Sequence, residues 1–369
     1  MRQKLSADHV IVAVSLGVLK HTSAKVFQPQ LPSYKQIAIK ALGFGTVNKI
    51  FVRFPSRWWP DEIKGFNLLW TSLDRESQEY EKRNLAWAKD VFGFFVVDNM
   101  PDVLCGWIVG SSARQMEKET DQTVQDVSYE LLNRFFGKKF NIPRPTAILR
   151  SKWYSYPYTR GSYSFRSVDS YNVNASATQL SQPVANKQGK QVLFFAGEAT
   201  HPYFYSTVHG AVETGLREAD RIASIYSLEE KPSEVKSVVV VGAGIAGLAA
   251  CKTLIEQGIT DIILLEAQDH AGGRIMSVPI GDGEGGWAEL GKYLYVDGEE
   301  IAQKVVHEVE GVVGDILEEC EKFCSDSEDS APLSVGHYLC EQFQKYLDEC
   351  RDPPQLYQTK MDLFDWHNR

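Results

Sequence analysis

The sequence predicts an α/β chain built around a parallel sheet, and three stretches predict it. Ser237-Val238-Val239-Val240-Val241 is an apolar run that leads directly into Gly242-Ala243-Gly244-Ile245-Ala246-Gly247 and then into a helical apolar stripe. This strand–turn–helix context is that of a dinucleotide-binding Rossmann-like unit. Residues 10–14 are β-branched and alanine, without polar alternation, as in a strand covered on both faces. Phe194-Phe195-Ala196-Gly197 reads as another buried strand ending in a glycine turn. After it, Val208, Val212, Leu216, Ala219 and Ile222 recur at three- and four-residue spacing, the pattern of a buried helical stripe.

Composition narrows the function classes. At roughly 150 residues per domain, 369 residues correspond to two domains. Hydrophobic residues are 43% and charged residues 24%, the balance of a globular chain. No run approaches the ~20 apolar residues of a membrane helix, so no membrane span is expected. The net charge of −9 disfavours nucleic acid as a partner. Six cysteines are too scattered for a disulfide scaffold. Cys320 and Cys324 could share a helix face, but no histidine pair completes a zinc set, so no metal is expected. Reduced thiols make the cytoplasm the default location.

In chain order, residues 1–226 alternate strand-like and helix-like stretches, with aromatic patches at 51–59 and 153–165. The start mimics a secretory signal, because Arg2 and Lys4 precede an apolar run. The competing reading is a buried strand followed by a turn at Ser15-Leu16-Gly17. Lys49 lies between Val47 and Ile50-Phe51-Val52, so alternation could aim it inward or outward. Residues 227–236 are polar, contain Pro232, and read as a linker. Residues 237–298 carry the βαβ unit. Residues 299–369 are charged and helix-patterned around an acidic loop at 325–330.

The glycines of the βαβ unit have separate tasks. Gly242 makes the tight turn, Gly244 lets the backbone approach a pyrophosphate, and Gly247 lets helix and strand pack closely. The helix amino end then stabilises phosphate charge. The second strand, Ile262-Ile263-Leu264-Leu265, ends at Glu266, which can accept hydrogen bonds from ribose hydroxyls. An acidic residue there disfavours NADP. Gly272, Gly273 and Arg274 add two bare backbone positions and a cation, which suits the extended pyrophosphate of FAD better than NAD.

Residues 238–274, with the later Glu289-Leu290-Gly291, resemble the amino-terminal FAD fingerprint of the flavin amine oxidases, in their polyamine and spermine oxidase branch. Phe194 to His201 and Tyr205 to Ala211 are similar to the carboxy-terminal FAD motif of the same family. The resemblance implies that Gly197 and Glu198 hold the ribityl side of FAD. It implies that Thr207 and Val208 back the flavin ring, where a helix amino end would offset charge gained on reduction. Asn48-Lys49-Ile50 resembles the segment whose lysine approaches flavin N5 through a water, which implies a catalytic role for Lys49. Trp153 and Tyr163 resemble the aromatic wall of the substrate channel, which Thr207 also borders. The motif order is permuted. The chain reads as the carboxy-terminal half of one oxidase followed by the amino-terminal fingerprint of another, with an incomplete substrate domain. Lys292-Tyr293-Leu294 also departs from the family pattern after Gly291.

The resemblance implies oxidation of a polyamine (spermine, spermidine or an acetylated form). Hydride leaves the carbon beside a secondary amine for flavin N5, the imine hydrolyses to an aldehyde and a shorter amine, and oxygen is converted to hydrogen peroxide. The alternatives are a non-catalytic FAD-binding paralogue, a fusion or truncation of tandem oxidase genes, and an NAD-dependent dehydrogenase. The oxidase reading requires both half-motifs to share one cleft, and a ten-residue tether, reaching at most ~33 Å, allows that.

Overall fold

The computed structural model describes residues 4–97, 100–227, 237–280 and 287–291, all within one compact unit, Met1–Lys292. The tether at 228–236, Cys320, Cys324, the acidic loop, the segment after Gly291 and the helix-patterned region at 299–369 lie outside the described residues.

The apolar runs form one five-stranded sheet. Its strands are β1 (His9–Val12), β9 (Val184–Ala185), β10 (Gln191–Phe195), β11 (Ser237–Val241) and β12 (Asp261–Leu265), in the order β12-β11-β1-β10-β9. All pairs are parallel except the β9 edge. Val12 lies opposite Phe195 on one side and Val241 on the other. β1 is therefore the seam between β10 and β11, both far from it in sequence, and the secretory-signal reading fails because this run is the sheet's centre.

Both faces of the central strands are covered, while the β12 edge is largely exposed. Ile11, Phe194, Val238 and Val240 pack under Ala219 and Ile222 of the helix Val208–Ser227 and Ala250 and Leu254 of the helix Ile245–Glu256. Val12 and Phe195 pack with Leu16, Leu19, Ile39 and Leu180 on the opposite face. Each fully buried aliphatic or aromatic side chain contributes about 1.5–3 kcal/mol of transfer free energy. The two helices approach closely at Gly215, where a Cβ would lie 2.3 Å from Ala246 O.

Two expectations need correction. The predicted turn at Ser15-Leu16-Gly17 is instead the start of a helix, Leu16–Val26, because the Ser15 hydroxyl accepts the Val18 amide and caps it. The predicted stripe on Val208–Ser227 is rotated: Leu216 is 39% exposed, whereas Thr214 and Glu218 are buried. Polar residues occupy the inner face because they have partners there. Thr214 accepts the Gly197 amide, and Glu218 pairs with Arg217 and Arg221.

A second sheet is antiparallel, in the order β4-β5-β6-β3-β7. It comprises β3 (Val47–Arg53), β4 (Gly65–Asn67), β5 (Val91–Val97), β6 (Met100–Val109) and β7 (Ala147–Arg150). Two short ladders complete the described strands: β2 (Gly43–Gly45) with β8 (Tyr163–Phe165), and β13 (Ser277–Pro279) with β14 (Trp287–Glu289). Ile50, Val52, Phe94 and Leu104 face a core closed by Val127 and Leu131. Phe51, Val103 and Cys105 face Trp153, Ile280 and Leu290 on the other side. This two-sided packing leaves β3 buried from Asn48 to Val52.

Candidate functional site

The carboxyl ends of β1, β11 and β12 meet β3, β8 and the segment around Glu198 at a cavity of about 440 Å³. Carboxyl ends of parallel strands are where open α/β sheets bind ligands. Gly242, at φ 108°, turns the chain out of β11, and its amide donates to Leu265 O. Gly244 caps the helix Ile245–Glu256 with no side-chain acceptor, and a Cβ there would meet open space. The helix therefore presents bare N–H groups to the cavity. Gly247 is dictated by packing, since a Cβ would lie 2.0 Å from Gly242 O.

Glu266 is held by three amides. Oε2 accepts from Ala243 (2.7 Å), and Oε1 from Ala267 (2.8 Å) and Gln268 (2.9 Å). Burial pushes its carboxyl up, but these donors outweigh burial and hold it below the ordinary carboxylate range. A Gln268 side-chain donor adds to these amides, so a ribose hydroxyl would share an acceptor oxygen with them. Gly272 lies beside Gly244 and donates to Ala243 O, bringing Gly273 and Arg274 to the same mouth.

The two distant motifs touch at Arg274. Its Nη1 donates to Glu198 Oε1 (3.0 Å) and to Ser162 O (2.6 Å). Glu198 is 5% exposed, and its Oε2 also accepts from the Ser164 hydroxyl (2.6 Å) and the Ser206 amide (2.7 Å). It is no surface carboxylate. Gly197, at φ 118°, begins the short turn Glu198–Thr200 that carries it. Thr207 Oγ1 accepts the Gly210 amide (3.0 Å), capping the long helix, and Val208 lies beside it on the cavity wall.

Lys49 points into the same cavity and is 3% exposed. Its Nζ donates to Glu289 O (2.8 Å) and Gly291 O, and lies 5.3 Å from the Trp107 ring centroid. Desolvation lowers its pKa below the ordinary lysine value, against smaller opposing contributions from Cys105 and Glu289. Trp153 and Tyr163 join the wall near it. Burial raises the Tyr163 hydroxyl.

Every site residue named from the sequence except Gly247 thus lines one cavity, and Gly247 sits directly behind it. Sequence reasoning missed Trp107, Ser15, Leu290 and Gly291 as wall residues. Leu290 and Gly291 were visible within Glu289-Leu290-Gly291. Trp107 carried no local signal, because only the β3–β6 register places it opposite Lys49.

The donor set fits FAD. A bare helix amino end and a guanidinium suit a pyrophosphate, Glu266 suits a ribose, and the aromatic end with a buried lysine suits an isoalloxazine.

Comparison with known proteins agrees. Residues 2–223 match the family model described as flavin containing amine oxidoreductase, and residues 240–307 match that of an NAD(P)-binding Rossmann-like domain. The chain is 40% identical over 228 residues to a peroxisomal N(1)-acetyl-spermine/spermidine oxidase of Homo sapiens, covering 61% of this chain and 44% of that protein. It is 36% identical over 253 residues to probable polyamine oxidase 5 of Arabidopsis thaliana, covering 60% and 46%. It is 34% identical over 233 residues to a possible lysine-specific histone demethylase 1 of Drosophila melanogaster, covering 60% and 24%. The chain spans under half the length of these relatives.

Proposed function

The chain belongs to the flavin-containing amine oxidoreductases, and from that premise we propose that it is an FAD-dependent oxidase of polyamines. The observation that carries this reading is the single cavity in which Gly244, Glu266, Arg274 and Glu198 face Lys49 and the Trp107–Trp153 wall. When bound, FAD accepts the hydride from the carbon beside the substrate amine and passes the electrons to oxygen.

The chain's own residues do the rest. Gly242, Gly244, Gly272 and Gly273 let the backbone approach the pyrophosphate, and Glu266 orients the ribose. Arg274, Glu198 and Gly197 shape the middle of the site. Thr207 and Val208 back the flavin end. Trp153 and Tyr163 exclude water and lower the amine's pKa by desolvation, which keeps its nitrogen neutral. Lys49, held by two carbonyls, moves a proton to and from a water in the cavity. In domain terms, 1–226 combines part of a substrate domain with one half of the FAD domain, and 237–298 supplies the other half. For its location we propose the cytoplasm, on the scattered cysteines of the sequence.

The test is direct. Purified protein should be yellow and release hydrogen peroxide with spermine, spermidine or N(1)-acetylspermine. Zero turnover by a fully flavinated sample defeats the oxidase reading and leaves the non-catalytic FAD-binding one. Absence of flavin absorbance after loading defeats both.

A further inference from the structure

Behind the wall that carries Lys49 and Trp153, outside the cavity, lies a chain of buried polar groups that the proposed chemistry does not use. Glu117 follows the helix Gly110–Met116 and is 6% exposed; Asn48 and Ser151 are 0% and 2% exposed. Three N–H donors meet the Glu117 carboxylate. Oε1 accepts from Asn48 Nδ2 (2.8 Å) and the Tyr154 amide (2.9 Å), and Oε2 accepts from the Ser155 amide (2.6 Å).

Asn48 is thereby oriented with its oxygen toward Ser151. Asn48 Oδ1 accepts from the Ser151 hydroxyl (3.0 Å) and the Trp153 amide (3.4 Å). Ser151 in turn grips Lys49 from both backbone groups: its hydroxyl accepts the Lys49 amide (2.9 Å), and its own amide donates to Lys49 O (3.1 Å). One carboxylate thus orients Asn48, whose amide oxygen in turn holds the Ser151 hydroxyl and the Trp153 amide against β3, while Ser162 bonds β3 separately, at Val47.

We propose that Glu117 is a positioning residue, which through Asn48 and Ser151 holds Lys49 and Trp153 at a fixed separation across the flavin end of the cavity. This rests on the functional reading above. The chemistry requires a carboxylate, because all three partners are donors. An isosteric glutamine must turn an N–H₂ either onto the Ser155 amide or onto both Asn48 Nδ2 and the Tyr154 amide, leaving a buried donor without an acceptor. The loop must then shift, and small misplacements of a reacting group cost one to two orders of magnitude in rate.

The experiment uses the FAD-loaded full chain and three readouts: FAD affinity, visible circular dichroism of the bound flavin, and the rate of flavin reduction by N(1)-acetylspermine. For Glu117→Gln, FAD affinity should stay within about twofold, because Gly242, Gly244, Glu266 and Arg274 are untouched. The flavin dichroism should change, and reduction should slow by about tenfold or more. Glu117→Asp keeps two acceptor oxygens and should recover part of the rate. A folded Glu117→Gln protein with wild-type dichroism and a reduction rate within twofold overturns the proposal.

Should Glu117→Gln fail to fold, Ser151→Ala removes the hydroxyl that joins Asn48 Oδ1 to the Lys49 amide. It should slow reduction while leaving KM for N(1)-acetylspermine unchanged, and an unchanged rate overturns the proposal equally. If wild-type protein holds FAD but no polyamine reduces it, the oxidase reading has failed, and the dichroism comparison still decides the role of Glu117.

Discussion

Removing the charge of Arg274 should uncouple the two motifs that build the cavity. The contact joins residues 76 apart, one from each half of the permuted order. Its environment sets the magnitude: the Glu198 side chain is 6% exposed and the Arg274 side chain 25%. Fully buried pairs cost about 3–5 kcal/mol when one partner is removed, while exposed pairs contribute about 0.2–1 kcal/mol. A mostly buried guanidinium against a buried carboxylate falls between, at about 2 kcal/mol. The Ser164 and Ser206 donors remain on Glu198 and prevent the full penalty. The assay is a double-mutant cycle of Arg274→Met, Glu198→Gln and both together, by urea denaturation of the apoprotein. The coupling energy should be about 2 kcal/mol, and FAD affinity should fall in both single variants. A coupling energy below about 0.5 kcal/mol, the ordinary scatter of independent sites, would refute the claim that this pair welds the halves.

Three further outcomes are expected. Gly247→Ala places a Cβ 2.0 Å from Gly242 O, where only backbone movement relieves the clash. It should cost about 1–3 kcal/mol by thermal denaturation and weaken FAD binding, whereas Gly244→Ala, with open space around its Cβ, should weaken FAD binding alone. Lys35 is buried and its pKa is pushed down to about 7, chiefly by desolvation. Between about pH 7 and 10.5 the unfolded chain therefore binds more protons at this group than the folded one. Stability contributed through Lys35 should rise with pH across that window, and Lys35→Met should flatten the Tm–pH slope there. Lys49→Met should leave FAD bound but slow its reduction or reoxidation, measured by stopped-flow absorbance; unchanged rates would remove Lys49 from the mechanism.

The dinucleotide half of the site was legible because its requirements are local. A glycine at φ 108°, an apolar strand of known length and an acid at the next strand's end are dictated by turn geometry and phosphate chemistry, so they leave a spacing in the chain. The rotated stripe of Val208–Ser227 shows the opposite case. Nothing local marks Thr214 and Glu218 as inward-facing, because Gly197, Arg217 and Arg221 satisfy them only in the folded chain. Lys49 was ambiguous for the same reason. Its strand is buried on both sides, by different segments, so alternation carried no information about its direction.

Local pattern alone determined the α/β class, the Gly242–Gly247 turn, the Glu266 acceptor and the α-helix after Thr207. Pairing between distant segments decided the rest: that β1 sits between β10 and β11, that Arg274 reaches Glu198, and that Trp107 and Leu290 wall in Lys49. The physical reason is range. Backbone conformation and periodicity act over a few residues, whereas desolvating a lysine or pairing a buried carboxylate depends on groups that only the folded chain brings within 3 Å.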